Sequence, residues 1–206
     1  MNIVFIGAGN IGQAIASQML RAGHTVLLAN SRGPETLSAT VDGLGIGADA
    51  VTIEKAAEQE VVVVAVPWVH VADAVTDLPD WGNRIVVDAN NALLPPDYKP
   101  ADLGGRTSSV VFAGLFPGAR VVKTANILLA KVLAEDPVRP EGRRVLFISG
   151  DDNEAKETVS GLFGRAGFRM IDVGDLETGG KLYEFPTGPL ARPLIAPREG
   201  RPPRSQ

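Results

Sequence analysis

Short runs of β-branched residues alternate along the chain with stretches whose apolar positions recur every three or four residues. That is the pattern of a parallel α/β sheet. Asn2–Ile6 predicts a first strand. Residues 11–22 then put Ile11, Ile15, Met19 and Ala22 on one helical face, and Gly23 ends that helix. Thr25–Ala29 reads as a second strand, 50–53 as a short third and 54–58 as a short helix. Residues 61–66 are apolar without a break, so both faces must be covered, and a central parallel strand is expected there. Residues 84–88 predict a fifth strand.

The second half is less regular. Helices are expected over 108–115 and 127–134, with a strand over 120–123. A proline- and charge-rich connection at 135–144 leads into a strand at 145–149. Asp151 and Glu154 have the spacing of a capping box for a helix that ends near Gly164 and Gly167, and a last strand is expected over 168–172. From Pro186 onward six prolines and four arginines accumulate, which reads as a flexible basic end, the commoner case, or as an arm lying on a partner subunit. The fold class is therefore α/β, a Rossmann-type doubly wound, mostly parallel sheet with a small α/β C-terminal extension. It divides as a dinucleotide-binding domain over 1–126, an α/β part of the same unit over 127–185, and a tail over 186–206.

Composition narrows the chemistry. The 206 residues are 45% hydrophobic and 21% charged, the balance of a globular protein large enough to need no staple. A net charge of −4 argues against a nucleic-acid surface or an acidic membrane surface. With no cysteine, disulfides, thiolate metal sites and Cys nucleophiles are excluded, and with only His24 and His70 no metal site is expected. No targeting segment or membrane span is read, so the expected location is the cytoplasm.

Gly7-Ala8-Gly9-Asn10-Ile11-Gly12 is a GxGxxG run that follows the first strand and opens the first helix. In that setting Gly7 serves the tight turn, Gly9 the close approach of a pyrophosphate, and Gly12 the packing of helix on strand. The free N–H groups and positive end of the helix face the phosphates. At the end of the second strand the chain reads Asn30-Ser31-Arg32. No acid stands there for a ribose 2′-hydroxyl, whereas Ser31 and the Arg32 fork suit a 2′-phosphate, so NADP(H) is the expected cofactor.

After the central strand, Ala65-Val66-Pro67-Trp68 offers a stiff turn and a flat wall for the nicotinamide, with His70 two residues on as a weak catalytic candidate. His24 reads as structural. Ala89 and Asn90 end the fifth strand on the same side; Asn90 is a candidate for ribose or carboxamide, or equally a turn former. Lys123 reads as a solvated charge rather than a catalytic group.

Taken in order, the runs GAGNIG, NSR, VPW, DANN, VVKTAN and GDDNEAK, with the closing Asp172-Val173-Gly174-Asp175-Leu176, resemble the F420-dependent NADP oxidoreductase family. They are also similar to the NADPH domain of the STEAP metalloreductases. The resemblance covers roughly residues 1 to 184. It implies hydride transfer between NADPH and the deazaflavin F420, chemistry in which the protein chiefly holds two rings together. Where family members continue into a Gly-Arg-Leu-Leu-Glu-like stretch and a long apolar helix, this chain has Gly180-Lys181-Leu182-Tyr183-Glu184 and then breaks at Phe185-Pro186. Two other readings stand beside this one. One is reduction of another acceptor (a flavin, a ferric chelate, or a carbonyl or imine needing a proton from His70, Tyr183 or Lys123). The other is a non-enzymatic NADP sensor. The expected partners are small molecules, with no nucleic acid or membrane, and a homodimer is the expected assembly.

Overall fold

The computed structural model describes residues 1–78 and 80–197. The first half follows the expected alternation: β1 (Asn2–Ile6), α1 (Asn10–Arg21), β2 (Thr25–Ala29), α2 (Ser38–Leu44), β3 (Ala48–Ala50), α3 (Ile53–Ala57), β4 (Val61–Val64), α4 (Val71–Val75) and β5 (Ile85–Asp88). Short 3-10 turns at Pro34–Leu37 and Trp68–His70 lead into α2 and α4. A small hairpin follows, β6 (Leu93–Leu94) with β7 (Lys99–Pro100). The rest comprises α5 (Ser108–Ala113), β8 (Arg120–Thr124), α6 (Ala130–Ala134), β9 (Val138–Arg139), β10 (Gly142–Gly150), α7 (Asn153–Arg165), β11 (Arg169–Asp172), α8 (Thr178–Leu182) and β12 (Ile195–Pro197).

The main sheet runs β11-β10-β8-β5-β4-β1-β2-β3. Strands β3, β2, β1, β4, β5 and β8 are all parallel, β10 is antiparallel to β8, and β11 is parallel to β10. This is a Rossmann-like, mostly parallel α/β sheet. Val61 to Val64 are buried on both faces, as a strand flanked by β1 and β5 requires. One apolar layer gathers Phe5, Ile15, Met19, Val63, Phe147 and Phe163 on one side of the sheet. The other gathers Val62, Val64, Trp81, Phe112 and Phe116, where Trp81 meets Phe116 edge-on at 4.9 Å between ring centroids. The chain reverses direction across the sheet between β1 and β4, and a doubly wound sheet opens its crevice there, outside the carboxyl ends of the strands.

Several local expectations shift. The third strand lies at 48–50, two or three residues early, because its backbone pairs with β2 rather than following its own β-branched run. α2 was not expected, since its sequence SATVDGL carries no buried residue to betray a period. α7 is capped by Asp152, whose Oδ1 accepts from Ala155 N at 2.7 Å, while Asp151 instead receives Leu176 N at 3.1 Å. The described part of the expected flexible end is ordered: β12 pairs with β10, and Leu190, Leu194 and Ala196 pack against the core. Residues 198–206, with Arg198, Arg201 and Arg204 of that expected end, lie outside the described residues.

Candidate functional site

The loop between β1 and α1 is built by two close approaches and one open space. Gly7 sits at φ +106°, a conformation that side-chain-bearing residues rarely adopt, with its N–H on Ala29 O at 2.9 Å. A Cβ there would collide with the Ala65 carbonyl at the end of β4. One on Gly12 would strike the Gly7 carbonyl, so both glycines are demanded by the fold itself. Gly9 differs. Its backbone, φ −77° and ψ −175°, is open to any residue, and a Cβ there would meet nothing within 4 Å. The fold does not require glycine there, and the space above it is open. Gly9 also caps α1 with no side-chain oxygen on the free N–H groups and no acid in the first turn. The end of a helix of 12 residues is thus left unneutralised and facing outward.

Around this turn the other candidates take their places. Ala8 and Ile11 are half-buried, and Asn10 is exposed. Gln13 ties the loop by donating Nε2 to Ala8 O at 2.8 Å. The loop after β2 is held by Asn30, whose Oδ1 accepts from Arg32 N at 2.9 Å while its Nδ2 donates to Thr36 Oγ1 at 3.0 Å. The Asn30 side chain is therefore spent on shaping the loop. Ser31 and Arg32 project exposed, and the Arg32 guanidinium has no partner among the described residues. Glu35 belongs to this corner as well, because its carboxylate lies against Gly33. A reading of the chain that stops at Gly33 misses it.

Across the crevice, Ala65 N donates to Ile6 O at 2.8 Å and joins the two loops. Val66 and Trp68 are half-buried and pack on the second apolar layer, whereas Pro67 is exposed. His70 is exposed, its side chain held by no hydrogen bond among the described residues, so nothing orients the imidazole. Ala89 and Asn90 are buried. The Asn90 amide turns inward, donating to Val64 O at 3.0 Å and to Asp88 Oδ1 at 3.2 Å, so it fastens β5 to β4 instead of facing a ligand. The local turn is closed by Asp88, whose Oδ1 accepts from Asn90 N at 2.9 Å.

Beneath the crevice lies a polar network that sequence reading did not assemble. Lys123, expected as a solvated charge, is completely buried, and so is Asp88. The Lys123 Nζ donates to Asp88 Oδ2 at 3.1 Å and to Asn90 O at 2.9 Å, and Ser109 Oγ adds a bond to the same carboxylate at 3.2 Å. Register explains the pairing, for Asp88 and Lys123 are direct partners on β5 and β8. Tyr183 is also fully buried, its hydroxyl donating to Lys123 O at 2.7 Å and lying 2.8 Å from Ser149 Oγ. Burial pushes the phenol well above its ordinary range, the Asp88 charge pushes the same way, and the Ser149 bond opposes both. Tyr183 and Lys123, two of the three proton donors named for a carbonyl or imine acceptor, are thus fully buried and bonded within the protein. Asn126 donates to Asn91 Oδ1 and to Tyr183 O, both at 3.0 Å, and next to it Ala125 is held at φ +60°. A non-glycine residue in that conformation costs on the order of 1–2 kcal/mol and persists because the surrounding bonds dictate it. His24 is buried in the turn between α1 and β2, and desolvation first, then the N-terminal amine and Arg165, lower its pKa. Among the described residues no three His, Asp or Glu side chains come together as metal ligands, and no helix is long and apolar enough to cross a membrane.

Residues 2–92 match the model of a family described as NADP oxidoreductase, coenzyme F420-dependent. Over 183 residues, 88% of the chain, the sequence is 28% identical to the metalloreductase STEAP3 of Rattus norvegicus, and the match spans 35% of that longer protein. The fold is similar to the crystal structure of the hypothetical protein SMa0349 from Sinorhizobium meliloti, with TM-score 0.90 and 43% identity over 95% of this chain and 96% of that one. A structure described as a candidate F420-dependent NADP-reductase from Arthrobacter sp. FB24 shares the fold at TM-score 0.66 and 24% identity, covering 84% and 85% of the two chains.

Proposed function

We propose that the chain, whose residues 2–92 match the coenzyme F420-dependent NADP oxidoreductase family, passes hydride between NADPH and the deazaflavin F420. The single observation that carries this reading is the open space at Gly9 above an uncapped helix end, a seat for phosphates that the protein's own packing does not require. When bound there, NADP(H) supplies the hydride and the acceptor ring takes it together with one proton from water.

The chain's own residues bind and orient. The Gly7–Gly12 turn, with Ala8, Asn10 and Ile11, holds the pyrophosphate. Ser31 and Arg32 hold the 2′-phosphate, with Asn30 fixing the loop that presents them. The segment from Ala65 to Trp68 walls the nicotinamide, and the bonds from Asn90 and Lys123 hold that wall to β5. Because hydride moves between two carriers, no protein acid or base is needed at the reacting atoms, in keeping with a site whose one histidine is unoriented. The reading carries with it a cytoplasmic location and a homodimeric state, the latter checked by sedimentation at several concentrations.

The test mixes NADPH with oxidised F420, and in parallel with FMN and with a ferric chelate, using NADH as the control donor. Bleaching of F420 by NADPH and not by NADH is expected. The likeness to a metalloreductase gives a second reading its footing, and reduction of the ferric chelate in place of F420 would select it. NADPH binding with no acceptor reduced would leave the sensing role.

A further inference from the structure

A cavity of about 490 Å³ opens off the second apolar layer, at the opposite edge of the sheet from the crevice. It lies between the segment that leads from α4 into β5 and the turn that leads from α5 into β8, and those parallel strands begin at the amino edge. Its size is that of a small-molecule site. Val75, Leu78, Leu115 and Pro117 supply apolar walls. Another wall is Trp81, the end of an aromatic column in which Phe116 stacks on Phe112 at 4.4 Å between ring centroids. A buried indole normally gives its N–H to an acceptor. Trp81 is 2% exposed, yet its Nε1–H meets no acceptor among the described residues. Unlike the unpaired oxygens of Gln18 and Asn126, that nitrogen is not sealed inside the protein.

Asp80 brings a carboxylate to the same cavity. Its Oδ1 accepts from Gly82 N at 2.9 Å and rests against Gly118, so the group is held in place, while Oδ2 has no partner among the described residues. Arg84 does not neutralise it, because Nη1 donates instead to the Asp80 and Trp81 carbonyls, at 3.1 and 2.8 Å. No Lys or Arg stands among the described lining residues, and Asp73 and Asp77, on and just after α4, are exposed without an ion-pair partner. An apolar cavity edged by unpaired carboxylates favours a cation, and a buried N–H without a partner favours an acceptor. We infer that this cavity binds a small apolar ring system that carries an ammonium group for Asp80 and a hydrogen-bond acceptor for the Trp81 Nε1–H. The site is separate from the dinucleotide crevice, and the inference does not rest on the oxidoreductase reading.

The test uses three matched two-ring probes. Quinolin-3-ylmethylamine carries both groups, naphthalen-2-ylmethylamine lacks the ring acceptor, and quinoline-3-carboxylate reverses the charge. Binding of each to the full chain is followed by titration calorimetry, with and without saturating NADPH. The quinoline amine is expected to bind saturably, about tenfold tighter than the carboxylate and several-fold tighter than the naphthyl amine. Asp80→Asn keeps the Oδ1 acceptor for Gly82 and lies on the surface, so it should melt with the native protein while the preference over the carboxylate falls to near one. Trp81→Phe should abolish the preference over the naphthyl amine, and if that variant fails to fold, the Asp80→Asn titration decides alone. In Trp68→Phe the sole remaining tryptophan is Trp81, and its emission should change as the quinoline amine binds. No saturable binding, displacement of the probe by NADPH, equal affinity for amine and carboxylate, or a preference that survives its substitution overturns the inference. An NADPH titration on the same preparations tests the oxidoreductase reading separately, so failure of one is told apart from failure of the other.

Discussion

Replacing Gly9 with alanine separates ligand binding from folding more cleanly than any other change in the crevice. The backbone at Gly9 is one alanine adopts freely, and the new methyl would touch no protein atom. Two small effects on stability oppose each other. Stiffening the unfolded chain gains ~0.4–1 kcal/mol. Placing alanine rather than glycine at a helix N-cap costs ~0.5–1 kcal/mol. The unliganded protein should therefore melt within a few degrees of the native one. The methyl does, however, occupy the space assigned to the pyrophosphate. Losing one hydrogen bond to a charged group costs ~1.5–3 kcal/mol, which raises the NADPH Kd about 10- to 150-fold. At 100 times the native Kd, NADPH stabilises the native protein by ~2.7 kcal/mol. For a chain of this size that is a melting shift of about 5–11 °C. At the same NADPH concentration the G9A variant should retain about half of that shift or less. Thermal melts with and without NADPH provide the assay, and Gly12→Ala is the contrasting control. Its methyl strikes the Gly7 carbonyl, so that variant should lose stability even without ligand. A ligand-induced shift in G9A as large as in the native protein would refute the reasoning, because the phosphates would then lie elsewhere.

Arg32→Ala should weaken NADPH by ~1.5–3 kcal/mol and leave NADH nearly untouched, and equal losses for both in a titration would remove the 2′-phosphate assignment. Lys123→Met strands the buried Asp88 carboxylate and should cost ~3–5 kcal/mol in denaturant unfolding. The double variant K123M/D88N should regain part of that loss, and a double no more stable than the single would show that the pair does not carry it. Tyr183 has its pKa raised by burial, so the folded state keeps a proton that the unfolded state releases above about pH 10. Stability should be intact below that pH and fall as pH rises beyond it, and Tyr183→Phe should flatten the alkaline limb of a stability–pH profile. His24 works in the opposite direction: its lowered pKa should cost stability as pH falls below about 6.5, and His24→Leu should remove that slope between neutrality and pH 5.

The likeness of fold to SMa0349 runs over nearly the whole chain, while the family model matches only through residue 92. That boundary falls where the site changes character. Up to Ala92 lies the crevice built for a dinucleotide; beyond it come the α5 segment and the stretch around α8, which frame a cavity lined in part by Arg106 and Lys181.

Local pattern determined what depends on neighbouring residues. The uninterrupted run Val61–Val64 had to be a central strand, since an apolar strand has no face for water. Gly7, Gly9 and Gly12 marked a phosphate-type turn because strand, glycine spacing and helix start all fall within a dozen residues. The proposal for the Ser31–Arg32 corner rests on the same kind of local reading. What the sequence left undetermined depends on residues brought together from far apart. Lys123 looks like a solvated charge until β8 is set beside β5 in register, which places it on Asp88 in the core. Asn90 was open between ligand and turn until β4 supplied the Val64 carbonyl that takes its amide. Glu35 reached Gly33 only through the turn that precedes α2. Tyr183, 60 residues from Lys123, is buried and bonded to the Lys123 carbonyl because the end of α8 packs over the strand ends. Sequence fixes periodicity and turn geometry, because those are set by sterics within a few residues. Which buried polar groups become partners is set by strand order and register, because desolvating a charge is tolerated only where the fold supplies its counterpart.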